Sequence, residues 1–162
     1  ENTTLKLADG VNLFEIGSLA PGVTVEEVDY RILSLDAGLK YKGIFFQVEY
    51  YQRWLDNFLA TGALPVTQIK DTGFSVQAAF YPIPKVLELY GVTSQIYGDE
   101  SAGFGDSSEY GLGLNWYPFD SRNHRLNLQA LDVNKSPVGS TFGYYTAGQD
   151  GITVASSFSI FF

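Results

Sequence analysis

The chain has 162 residues, with 10 Lys plus Arg against 18 Asp plus Glu for a net charge of −8, one His, and neither Cys nor Met. Without Cys there is no disulfide framework, thiolate zinc site, c-type haem attachment or cysteine nucleophile. A lone His excludes a His-rich metal centre, and the negative charge argues against a phosphate-backbone partner, so no nucleic acid is expected. At 45% hydrophobic and 17% charged, this is the composition of a folded chain, and its length fits one domain.

No segment approaches the ~18–20 consecutive apolar residues of a transmembrane helix. The longest unbroken apolar run is four residues, as at Ala78-Ala79-Phe80-Tyr81. A β-barrel in a membrane would give the same low hydropathy, because lipid-facing and lumen-facing residues alternate along each strand. The sequence starts at Glu1 with neither a signal peptide nor a start Met, so a mature form or a fragment is expected.

Residues 1–30 hold Gly10, Gly17, Pro21-Gly22 and the acidic pair Glu26-Glu27, and read as a long extracellular loop or irregular segment, with a short strand near Thr4 to Leu7. From residue 31 to the end, period-two alternation predicts seven strands and no helix. Leu33, Leu35, Ala37, Leu39 and Tyr41 form the apolar face of the first strand. Ile44, Phe46, Val48, Tyr50 and Trp54 follow on the second, then Phe74, Val76, Ala78 and Phe80 on the third. A weaker fourth segment spans Val86 to Tyr97, with Leu87 and Leu89 opposite Glu88 and Tyr90. Tyr110, Leu112, Leu114 and Trp116 mark the fifth, Leu126, Leu128 and Ala130 the sixth, and Ile152, Val154, Phe158, Ile160 and Phe162 the last.

Short turns at Lys42-Gly43, residues 82–85 and residues 118–124 alternate with longer loops at 59–72, 98–107 and 134–150. Tight turns on one side and extended loops on the other are the habit of outer-membrane barrels. If the short turns are periplasmic, Tyr41, Phe80, Trp116 and Phe162 fall near one end of the apolar faces and Trp54, Phe74, Tyr97 and Tyr110 near the other. Two aromatic girdles around an aliphatic band suit a bilayer, where amphipathic rings settle at headgroup level. The expected fold is therefore all-β, a transmembrane antiparallel β-barrel over residues 31–162. An odd strand count, with the last strand ending on the periplasmic side, makes this chain about seven C-terminal strands of a larger barrel. An eighth strand within residues 1–16 would instead complete a small barrel.

Three stretches carry a family resemblance: Asp36-Ala37-Gly38-Leu39-Lys40-Tyr41-Lys42-Gly43 running into Glu49-Tyr50-Tyr51-Gln52-Arg53-Trp54-Leu55; Tyr110-Gly111-Leu112-Gly113-Leu114-Asn115-Trp116-Tyr117-Pro118 leading to His124-Arg125-Leu126-Asn127-Leu128; and the end Ser157-Phe158-Ser159-Ile160-Phe161-Phe162. In this order they resemble the C-terminal part of porins of the phosphate-selective O and P type. The resemblance implies a barrel of about 16 strands, usually trimeric, in the bacterial outer membrane, passing small anions. It also implies an assembly signal in Phe158, Ile160 and Phe162, read by the barrel-assembly machinery. No cofactor or metal is implied.

On the parity of the strands the lumen face carries Lys40, Lys42, Arg53 and Arg125 against Asp36, Glu49, Glu88 and Glu109. These are the candidate pore-lining residues. Their balance favours neither anions nor cations, so the expected function is passive diffusion of small hydrophilic solutes and ions, with phosphate among them on the resemblance alone. The alternative is a secreted β-sandwich that binds or hydrolyses carbohydrate through Glu49, Glu88 or Glu109, which share a face. Gly111 and Gly113 also fall on the lumen face, where missing side chains would allow strong sheet curvature or close approach of an inserted loop, and Gly113→Ser is expected to matter less than Leu112→Arg on the opposite face.

Overall fold

The computed structural model describes residues 5–121, 123–137 and 148–161. All seven strands are present: β1 (Val25–Tyr41), β2 (Ile44–Ala60), β3 (Gln68–Ile83), β4 (Leu87–Tyr97), β5 (Ser107–Trp116), β6 (His124–Asn134) and β7 (Gly151–Ile160). They form one antiparallel sheet in sequence order, β1 to β7. Helical content among the described residues is two single 3₁₀ turns, at Glu100–Ala102 and Pro118–Asp120, and no helix is long and apolar enough to cross a membrane.

In an antiparallel pair, residues directly opposite each other point to the same face. The register chain Leu39–Phe46–Ala78–Gly91–Leu112–Ala130–Val154 therefore runs across the whole sheet on one side. Each apolar face read from the sequence falls on that side, which is left open: Leu112 is 73% exposed, Ile152 76% and Val154 77%. The other side takes Glu49, Tyr90, Glu109, Asn115 and Asn127, which are half-buried or buried against their neighbours.

Short turns close the lower end. Lys42 and Gly43 both take left-handed backbone (φ 44° and 83°), the two-residue hairpin whose twist matches the strands it joins. Neighbouring turns are also tied together, since Tyr81 N donates to Gly43 O, Tyr117 N to Val86 O and Phe161 N to Asn123 O.

The first three strands run well beyond the expected bounds. β1 begins at Val25, inside the segment expected to be loop, and β2 and β3 run on through residues 56–60 and 68–72. The extensions carry Glu26, Glu27, Asp29, Asp56 and Asp71 against Lys70 alone, so the strands as observed are acidic. Alternation lapses there because a second body covers the polar face. Residues 5–24 fold back on themselves, with Leu7 N donating to Val11 O and Leu13 N to Leu5 O. Of the short strand expected near Thr4 to Leu7, Thr4 lies outside the described residues, and the described part forms an isolated Lys6–Asn12 bridge.

Leu7 and Leu13 bury themselves against Val25, Leu55, Ile69 and Phe104 to make the hydrophobic core. That core sits at the upper end, away from the open apolar face. Phe162 and residues 138–147 of the last long loop lie outside the described residues.

Leu13 is fully buried, so Leu13→Ala should cost about 2–4 kcal/mol through lost burial and the cavity left behind. Limited proteolysis checks this: cleavage within residues 5–24 should accelerate while the strand signal in circular dichroism is kept.

Candidate functional site

The polar face is where chemistry-bearing side chains converge, in two zones. The lower zone spans β4, β5 and β6. Tyr117 O–H and Asn115 Nδ2 each donate to Glu88 Oε2 at 3.0 Å. Asn127 Nδ2 donates to Asn115 Oδ1 at 2.9 Å and to Tyr90 Oη at 2.8 Å, and Tyr90 O–H donates to Gln129 Oε1 at 3.0 Å. Register explains the ladder, because Glu88 faces Asn115 and Asn115 faces Asn127. Burial, followed by the hydrogen bond to Glu88, pushes the Tyr117 phenol above its ordinary range, so it stays a donor.

Two cross-strand pairs set the shape of this face. Tyr90 lies opposite Gly113, and a Cβ at 113 would stand 2.4 Å from the Tyr90 ring and hydroxyl. Tyr51 likewise crosses Gly73, where a Cβ would meet its ring at 2.5 Å. Each glycine lets a tyrosine lie flat across the adjacent strand. The space at Gly113 is thus filled by Tyr90, and that at Gly111 by Leu131 and Val92. Gly113→Ser therefore carries a cost of its own, because the Tyr90 ring that must move is held by two hydrogen bonds.

The upper zone centres on Arg53. Its Nε donates to Asp71 Oδ2 at 2.9 Å, Nη2 donates to the same oxygen, and Nη1 donates to the Lys6 carbonyl at 2.6 Å. Asp71 is 5% exposed. Arg53 therefore stitches the folded-back segment to the sheet. Loop 98–106 is pinned alongside by Asp99, which accepts from Ser101 N at 3.0 Å and Lys70 N at 2.9 Å. The hydrogen bond from the Ser101 side chain, ahead of the backbone donors, holds the Asp99 carboxyl below its usual range.

The eight candidate pore-lining residues separate on this geometry. Arg53, Glu49, Glu88, Glu109, Asp36, Lys40 and Arg125 all lie on the polar face. Lys42 does not: it occupies the turn after β1, with Nζ 5.2 Å above the Tyr41 ring at the lower rim. Asp36 stands directly opposite Glu49, a repulsive pairing that Gln47 Nε2 (2.8 Å) and Ser75 Oγ (3.4 Å) offset by donating to Glu49. Glu49 and Glu109 share one row, Glu49–Ser75–Ser94–Glu109, and so lie three strand spacings apart, roughly 14 Å between backbones. Glu88 is six residues from Ser94 along β4. These carboxylates do not converge at the ~5–10 Å that glycoside hydrolysis requires. No group of three potential metal ligands occurs among the described residues.

Tyr41, Phe80, Trp116, Trp54, Phe74, Tyr97 and Tyr110 all project from the open apolar face, Phe74 and Tyr97 with ring centroids 6.2 Å apart. Phe158 and Ile160 are exposed on the same face of β7. The upper aromatics lie below the ends of β2 and β3, Trp54 six residues before Ala60 and Phe74 six after Gln68. About 20 Å of strand therefore rises above them. Selecting charged residues missed Tyr90, Asn115, Asn127 and Gln129, although the alternation already placed them on this face. Asp71 fell in an expected loop, and because Ile69 stands on the same face as Asp71 the alternation lapses there and gave no signal for it.

Comparisons with protein-family models, with curated proteins and with solved structures find no match to this chain.

Gly113→Ser is expected to destabilise by about 1–3 kcal/mol through overpacking and loss of the Tyr90 bonds. In a Tyr90→Ala background the same substitution should cost far less, and a double-mutant cycle in urea measures the coupling. The lowered Asp99 carboxyl stabilises the loop above its unfolded pKa, and that contribution is lost as pH falls through the folded value. Asp99→Ala should therefore destabilise at pH 7 by up to about 1 kcal/mol and show a smaller difference from wild type below about pH 4.

Proposed function

We propose that this sheet is a section of the wall of a transmembrane β-barrel in a bacterial outer membrane, and that its polar face lines a passage for small hydrophilic solutes and ions. The observation that carries this reading is the open apolar face. From Leu33 to Tyr41 on β1, across to Val154–Ile160 on β7, that face presents large apolar and aromatic side chains without a charge. Arg31, Asp56, Lys70 and Asp132 appear only at its upper margin. Water-soluble monomers rarely expose contiguous apolar patches beyond a few hundred Å², whereas a charge-free band bordered by aromatics is what hydrocarbon requires.

The location of the covering segment distinguishes this reading from a soluble sandwich. A sandwich packs its second layer on the apolar face of the first. Here residues 5–24 pack on the polar face, and nothing among the described residues covers the apolar one. Placed inside a barrel, this segment narrows the passage at its upper end.

β1 and β7 are the two edges of the sheet, and each offers an unpaired row of backbone donors and acceptors. Closure by further strands removes such edges in a membrane, which supports the reading of this chain as the C-terminal strands of a larger porin. A trimer and handling of Phe158, Ile160 and Phe162 by the barrel-assembly machinery follow from the porin resemblance. The cations of the polar face give no anion ladder: Arg53 is neutralised by Asp71, and Lys42 lies at the rim. The passage is accordingly proposed as weakly selective, with no phosphate preference.

The protein that carries this chain should require detergent for extraction and, with its barrel closed by the further strands, should conduct ions in planar bilayers; a protein that stays monodisperse without detergent contradicts the reading. Leu112→Arg, near the middle of the apolar face, should cost about 2–4 kcal/mol in folding into lipid vesicles. Gln77→Arg, exposed on the polar face, should stay within about 0.5 kcal/mol of wild type.

A further inference from the structure

The folded-back segment leaves a hollow between itself and the sheet, lined by Lys6, Tyr30, Tyr51, Arg53 and Asp71 with apolar walls from Ile32 and Ile96. Its volume of about 320 Å³ lies at the lower end of the range for small-molecule sites. Asp71 is nine-tenths buried there, yet both Arg53 contacts go to Oδ2. Oδ1 is the one buried carboxylate oxygen among the described residues left without a hydrogen-bond partner. An arginine and a carboxylate usually share two oxygens in a fork. Here one oxygen takes both donors and the other is left to accept from something else, and a buried acceptor without a donor is costly.

The surroundings narrow what that donor is. An anion would meet the carboxylate, and a cation would meet Arg53 and Lys6. A neutral hydroxyl is opposed by neither. Tyr30, about half exposed, and Tyr51 line the hollow with aromatic surface against which the C–H groups of such a solute can pack. We propose that this hollow is a subsite for a neutral polyhydroxylated solute of the monosaccharide class, which donates a hydroxyl to Asp71 Oδ1 and packs against Tyr30. Oδ1 is closed even to a water molecule, so occupation requires the carboxylate to rotate toward the hollow, and that cost makes the binding weak. The proposal names the solute class for the face read above as solute-facing, but it does not need the opposite face to lie in lipid.

The test is a saturation-transfer NMR titration of the full chain in detergent micelles with glucose, alongside inorganic phosphate and ethylammonium as charged probes. Glucose should give a saturable signal and the two ions none. Asp71→Asn should weaken glucose binding at least about tenfold, the worth of one charge-assisted hydrogen bond. Tyr30→Ala should weaken it several-fold. If Asp71→Asn fails to fold, Tyr30→Ala decides alone, because that side chain is half open and lies outside the core. Absence of saturable glucose binding by the wild type, unchanged binding in the folded variants, or saturation by phosphate or ethylammonium in place of glucose overturns the proposal. A chain that binds glucose but stays in solution without detergent keeps this inference and removes the porin reading.

Discussion

The structure depends on a single parity. Because opposed residues in an antiparallel ladder share a face, one unbroken register from Leu39 to Val154 makes every strand agree about which side is apolar. A one-residue slip anywhere would exchange the two faces beyond that point. The short lower turns guard against it: Lys42-Gly43 fixes the first hairpin, and the bonds from Tyr81, Tyr117 and Phe161 to neighbouring turns lock the lower edge. The Tyr51–Gly73 and Tyr90–Gly113 pairs add side-chain keys, since each ring fits only where a glycine stands opposite.

That agreement leaves the sheet with an unusual division of labour. The hydrophobic core of this chain is small and lies at the upper end, where Leu7 and Leu13 meet Leu55 and Ile69. The broad apolar face takes no part in it. Polar-face side chains are held by one another, in the ladder from Tyr117 through Glu88, Asn115 and Asn127 to Tyr90 and Gln129. A network with most of its members satisfied rigidifies the sheet, and under the proposed function lipid would cover the apolar face. The proposed function follows from that imbalance.

The strands were legible because a period of two survives wherever one face is apolar and the other polar. Legibility ended where a third element intervened. At the upper ends of β1–β3 the polar face turns apolar under residues 5–24, so Leu55 and Ile69 no longer contrast with their neighbours, and Asp71 was assigned to a loop. The fold-back of residues 5–24 depends on contacts with residues more than forty positions away, such as Arg53 to the Lys6 carbonyl, and no local pattern announces it. Within the candidate site, alternation placed seven of the eight charged residues on the polar face, where they lie, but could not say which were engaged. Arg53 gave no sign of its commitment to Asp71, and Lys42 missed the strand by one residue.

The central claim is that the two faces of one sheet meet different solvents. Spin labels placed singly along β7, an edge strand that tolerates them, and reconstituted into lipid vesicles would read this directly. The account predicts that labels at 152, 154, 156, 158 and 160 collide with oxygen dissolved in the hydrocarbon, while those at 153, 155, 157 and 159 collide with a water-soluble nickel complex. Equal access to the nickel complex at both parities would contradict it.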